Sequence, residues 1–133
     1  MEVSVRARRV IAWTLGLIAL GVAFTALWSA DLRWRVSEQS IAARELETTP
    51  LGSTETVVLN ALIRRDRQPS PMWRGVIEPD SNYPVSTRGG ASYTRVALAE
   101  YGIVFKTSVE AFYIFDGDRR LVEVGIRKTT DAF

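Results

Sequence analysis

The residues best placed to do chemistry are three carboxylates, Asp116, Asp118 and Glu123, gathered in the stretch FDGDRRLVEV. Neighbouring carboxylates can share acid and base work or hold a divalent cation. A calcium loop, however, needs about six or more oxygen ligands, and two aspartates around Gly117 describe a tight turn more simply. The chain contains no histidine and no cysteine. It therefore lacks the side chain that most often moves protons near neutral pH, the usual zinc ligands, and any disulfide. A small hydrolase working through Asp116, Asp118 or Glu123 is the one enzymatic alternative, and the expectation is a non-enzymatic protein with no cofactor and no metal site.

What must position such residues begins with the N-terminal apolar run. Val10 to Ala30 is uncharged over 21 residues, about 31 Å as a helix against a hydrocarbon core of roughly 30 Å. A cleaved signal peptide wants small residues at the −3 and −1 positions. Cutting after Ala30 would put Trp28 at −3, and cutting after Trp28 would put an indole at −1. Trp13 lies near one end of the run, with Trp28 and Trp34 at the other, which suits a retained span with aromatic residues at both interfaces. Arg8-Arg9 lacks the flanking residues of a twin-arginine signal. Arg6, Arg8 and Arg9 before the run are matched by Arg33, Arg35 and Arg44 after it. Their compact placement on a nine-residue tail favours a cytoplasmic N-terminus. The expected organisation is a cytoplasmic tail (1–9), a transmembrane helix (10–30), a juxtamembrane helix or linker (31–49) and an extracytoplasmic domain (50–133), set in a bacterial inner membrane.

Within the run, Ala12, Gly16, Ala19, Ala23, Ala26 and Ala30 follow a 4-3-4-3-4 spacing that places them on one helical stripe. Bulky residues flank it: Trp13, Leu17, Leu20, Phe24 and Leu27 on one side, Ile11, Leu15, Ile18 and Val22 on the other. In lipid, a small-residue face lets helix backbones approach closely. The stripe is thus a candidate interface for a transmembrane partner, another copy or another protein.

Charge excludes a further class. The chain has 17 basic and 15 acidic residues, of which the first nine hold three arginines and one glutamate, leaving 14 of each in residues 31–133. A balanced domain lacks the electrostatic footprint of nucleic-acid binding, so Arg64, Arg65, Arg67, Arg119 and Arg120 are expected on a solvated surface. The segment after the span carries Leu32, Val36, Ala43 and Leu46 on one side, interrupted by Gln39. That is too short for a coiled coil.

Ser53 is a candidate helix N-cap, followed by Glu55, an apolar face at Val58, Leu59, Leu62 and Ile63, and basic residues at the far end. Residues 68–92 are rich in proline, glycine and serine, with a possible strand at Met72–Glu78. A segment of this length is expected to be mobile or to bind, with Trp73 and Tyr83 as contact residues. Strands follow at Thr94–Phe105, bent at Gly102, from Val109, and from Arg119, the last two joined across Asp116-Gly117-Asp118.

Gly52, Thr54, Val58 and Leu62 fit G-x-T-x-x-x-V-x-x-x-L, followed by strands ending in FDGDRRLVEV. Over residues 50–128 this order resembles the SmpA/OmlA-type domains and the wider group similar to β-lactamase-inhibitor protein. The resemblance implies an α+β fold with one or two helices on a three- to four-stranded antiparallel sheet, and a role in envelope assembly or protein binding. Several members of that group are outer-membrane lipoproteins, whereas this chain has no cysteine to acylate. The expectation is an accessory subunit or assembly factor that contacts the lipid bilayer, a partner helix and another envelope protein. A membrane-held inhibitor or immunity protein is the alternative.

Overall fold

The computed structural model describes residues 5–77, 84–86 and 89–131, with backbone alone at 5–9 and 27–30. It divides into two units, residues 1–35 and 36–133.

The first unit is a single helix, α1 (Val5–Leu32). Among the described residues no helix is long and apolar enough to cross a membrane. The side chains described within the apolar run are those of residues 10–26, about 25 Å of helix. Thr14 donates its hydroxyl to the Val10 carbonyl at 2.7 Å, and Thr25 donates to the Val22 carbonyl at 2.9 Å. The helix thus satisfies both hydroxyls on its own backbone.

The second unit is α+β: α2 (Glu38–Thr48) and α3 (Glu55–Arg64) are followed by β1 (Trp73–Ile77), β2 (Gly90–Tyr101), β3 (Thr107–Phe115) and β4 (Leu121–Thr130). The strands form one antiparallel sheet in the order β1-β2-β3-β4, so every strand pairs with its neighbour in sequence. β3 is central, and Val109 and Ala111 to Phe115 are all buried. A strand apolar on both sides needs cover on both faces. On one face lie Val96, Ala111, Tyr113 and Ile126, in the same buried core as Ile41 of α2 and Val58 and Leu62 of α3. On the other, Ile77 and Val85 close over Phe112 and Ile114.

α2 begins at Ser37, whose side chain accepts from the Ser40 amide, and it buries Ile41 and Glu45 at i and i+4. The expected face of Leu32, Val36, Ala43 and Leu46 is not the buried one: Leu32, Val36 and Ala43 are exposed and Leu46 half-buried. α3 starts one residue later than expected, and it buries Val58 and Leu62 while Ile63, expected on the same face, is turned outward and exposed. Thr54 occupies the N-cap position without a side-chain cap, while Ser53 donates its hydroxyl to the Pro50 carbonyl.

The described parts of 68–92 are tied to the sheet. The Ser70 amide donates to the Arg95 carbonyl at 2.8 Å, and Thr94 donates its hydroxyl to the Ser70 carbonyl at 2.8 Å. Pro84–Ser86 crosses β4 at Gly125, where a Cβ would meet the Pro84 carbonyl oxygen at 2.0 Å. β2 runs earlier than expected, from Gly90, and stops at Tyr101, leaving Ile103-Val104-Phe105 in the turn. The bend expected at Gly102 is present, at φ +108°, but it ends the strand there instead of letting it continue to Phe105.

Candidate functional site

The predicted site residues fall in separate places. Ala12, Gly16, Ala19, Ala23 and Ala26 lie along α1, all exposed. Open clefts run between Ala12 and Gly16 and the bulky Trp13, Leu17 and Leu20 beside them. Ala30 is in the helix, but its side chain lies outside the described residues, as does Tyr83 altogether. The surrounding side chains are apolar on every side: Val10, Ile11, Trp13, Leu15, Leu17, Ile18, Leu20, Val22 and Phe24 are each 54–76% exposed.

Trp73 stands in the edge strand β1, 41% exposed. Its ring meets Tyr93 of β2 at 5.2 Å between centroids, and Tyr93 meets Phe112 of β3 at 5.9 Å. The row ends on β4, where the Arg127 guanidinium sits 5.0 Å from the Phe112 ring centre. Arg127 also donates to Glu110 at 2.6 Å, and Glu110 pairs with Arg95 at 3.6 Å. Pairing places these side chains on one face, because partners directly opposite point the same way: Trp73 faces Tyr93, Arg95 faces Phe112, and Glu110 faces Arg127. Aromatic residues beside a charged ladder make a surface suited to protein contact, where aromatic and arginine side chains contribute most. Of these residues the sequence analysis singled out only Trp73. The signal for the others was alternation within β2, β3 and β4, which becomes a common face only once register is known.

The one buried ionisable carboxylate among the described residues was also missed. Glu45 of α2, 5% exposed, accepts from the Tyr113 hydroxyl at 2.7 Å and from Arg65 at 2.8 Å. Burial alone would lower the Arg65 pKa, but the hydrogen bond and charge of Glu45 outweigh it and leave the guanidinium raised. Burial first, and then the Glu45 charge and hydrogen bond, hold the Tyr113 phenol above its ordinary range, while Arg65 pulls the other way. The cluster joins α2, the end of α3 and the sheet, so Arg65 is not the solvated residue it was expected to be. Its chemistry is that of a clamp: one carboxylate held by two donors.

Of the three carboxylates singled out for catalysis, those of Asp116 and Glu123 hold structural hydrogen bonds, while Asp118 is exposed and contributes its backbone amide. One Asp116 oxygen accepts from the Asp118 and Arg120 amides, both at 2.9 Å. Arg119 takes the left-handed conformation at φ 60° that completes the turn. Glu123 accepts from the Ser86 amide at 2.7 Å and its hydroxyl at 3.0 Å, pinning the segment that crosses Gly125. Among the described residues no group of three or more acidic side chains could hold a metal ion.

No family model, curated protein or solved structure matches the chain.

Proposed function

We propose that this protein is a single-pass, membrane-tethered, non-enzymatic binding protein of the bacterial envelope, an accessory subunit or assembly factor of an inner-membrane complex. The observation that carries the tether is the surface of α1 over residues 10–26, uncharged and exposed all round. Such a helix is stable only when buried in protein or lipid. The uncharged sequence continues to Ala30, long enough to span with the N-terminus inside and residues 36–133 in the periplasm. The stripe of Ala12, Gly16, Ala19, Ala23, Ala26 and Ala30 would receive a partner helix.

A binding role for the second unit is supported by the Trp73–Tyr93–Phe112–Arg127 row, whose outer end is open to solvent. A hydrolytic role would require Asp116 and Glu123 to leave hydrogen bonds that hold a turn and a crossing segment. The resemblance to SmpA/OmlA-type domains points the same way, since known members assemble envelope components or bind proteins.

The test is site-specific photocrosslinking of the full-length chain in cells. A photoreactive residue at Trp73 should give a discrete adduct with another envelope protein. The same residue at Val57, 56% exposed on α3, should not. Unmodified protein at both positions would remove the binding face from consideration.

A further inference from the structure

Among the described residues of the second unit, the turn between β2 and β3 carries the most exposed cluster of bulky apolar side chains. Ile103, Val104 and Phe105 are consecutive and 94%, 71% and 55% exposed. Folding explains the shape of the turn but not its composition. Gly102 is required because a Cβ there would meet the Phe105 carbonyl oxygen at 2.0 Å, whereas three polar residues could follow it equally well. The turn is firmly based: Thr107 pairs with Thr130, and the Asp131 amide donates to the Lys106 carbonyl at 3.0 Å. Three consecutive apolar side chains this exposed are not buried by the fold itself, so they favour an apolar surrounding outside it.

Where this tip lies within the second unit identifies that surrounding. Val36 is the first residue of the unit, and α1 ends at Leu32, only a few residues earlier. Lys128 donates its ammonium to the Val36 carbonyl, and Lys128 pairs with Val109. Val109 is four residues from Phe105, roughly 13 Å along the strand direction. The chain thus enters the folded unit at the end of the sheet from which the apolar tip projects. The sequence around the tip also suits a lipid interface. Tyr101 precedes it and Lys106 follows it, an aromatic residue and a long cation that can keep their polar ends at headgroup level while the residues between them enter the acyl layer.

We propose that Ile103, Val104 and Phe105 insert into the lipid bilayer that holds α1, giving the protein a second, shallow membrane contact that fixes the orientation of its sheet. The inference rests on the tether proposed above. A hairpin tip and a helix then hold the unit at two points, and the row from Trp73 to Arg127 is presented to partners at a fixed height above the lipid.

The absence of cysteine makes the test direct. Full-length protein bearing one engineered cysteine, Ile103→Cys, Leu20→Cys or Val57→Cys, is labelled with an environment-sensitive fluorophore. It is reconstituted in phosphatidylethanolamine–phosphatidylglycerol vesicles with or without acyl chains brominated both near the headgroup and toward the chain end, so that shallow and mid-bilayer positions are both within reach of a quencher. The expected result is a blue shift and bromine quenching at positions 20 and 103, with neither at 57, and loss of the effect at 103 when Val104→Asp and Phe105→Asp are added. Quenching at 20 but not at 103 would overturn the insertion and leave the tether standing, including the case in which the tip is shielded by a protein. Quenching at 103 but not at 20 would support the insertion and remove the tether. A wet, unquenched label at both positions would overturn both.

Discussion

Tyr113 shows how a single buried hydroxyl can make stability depend on pH. Its phenol is fully buried, donates to Glu45 and has a raised pKa, chiefly through burial. In the unfolded chain a tyrosine ionises near pH ~10. Above that pH the unfolded state releases a proton that the folded state keeps, so stability is complete below ~10 and falls as pH rises toward the folded value. The slope approaches about 1.4 kcal/mol per pH unit for one proton. Denaturant titrations between pH 9 and 11 should show this fall in the native chain, and a shallower one for Tyr113→Phe. At neutral pH the same variant should cost about 1–3 kcal/mol, because a buried carboxylate loses a donor. A pH profile unchanged in Tyr113→Phe would show that another group sets the alkaline limit. Leu62, 0% exposed on α3, is a simpler case of cavity formation: Leu62→Ala should lower the unfolding free energy by about 2–5 kcal/mol, and a loss below about 0.5 would mean that the side chain is not packed as described.

Among the elements, α1 offers a separable test of its small-residue stripe. Gly16→Leu with Ala23→Leu fills the groove while keeping the helix apolar, so membrane insertion should persist and association weaken. Leu17→Val with Phe24→Val, about 100° around the helix, should matter less. Cross-linking in membranes reads both, and a groove-filled variant that keeps its partners while the other loses them would assign the stripe to lipid. The elements also differ in how legible they were. The Asp116–Asp118 turn and the Val58–Leu62 face were clear because their signals are local: an Asp-Gly pair and a four-residue apolar repeat. α2 was misjudged at its buried face because one of the two residues it buries is Glu45, whose donors lie 20 and 68 residues away. Hydrophobic periodicity discards such a position. β2 begins in Gly90-Ala91-Ser92, a weak strand sequence, yet Ser92 is placed between Arg74 and Phe115 by strands on both sides. The aromatic row was hidden for the same reason: Tyr83 and Tyr93 look alike in sequence, and only pairing puts Tyr93 beside Trp73.

For the whole molecule, a tethered unit predicts topology. A reporter active only outside the cytoplasm should work when fused after Phe133, and the full-length protein should remain with membranes after an alkaline wash. A soluble product starting near Asp31 would show cleavage instead. Removing α2 should be costly as well, because it supplies Ile41 and Glu45 to the interior. A segment beginning at residue 48 should therefore unfold at lower denaturant than one beginning at residue 36. The connection from α2 to Tyr113 carries a further consequence, in time. Synthesis proceeds from the N-terminus, so α2 and α3 are made before the strands that close over them. Glu45 waits 68 residues for the Tyr113 hydroxyl, and the Gly52 amide finds its acceptor only when Leu121 has been made. Adjacent strands can zip together quickly as each hairpin is completed, but contacts this distant in sequence carry a loop-closure delay. The second unit should thus stay open throughout synthesis and close in one late step, once β4 has been delivered. A chain stalled before Leu121 would leave both helices exposed to proteases for as long as the stall lasts.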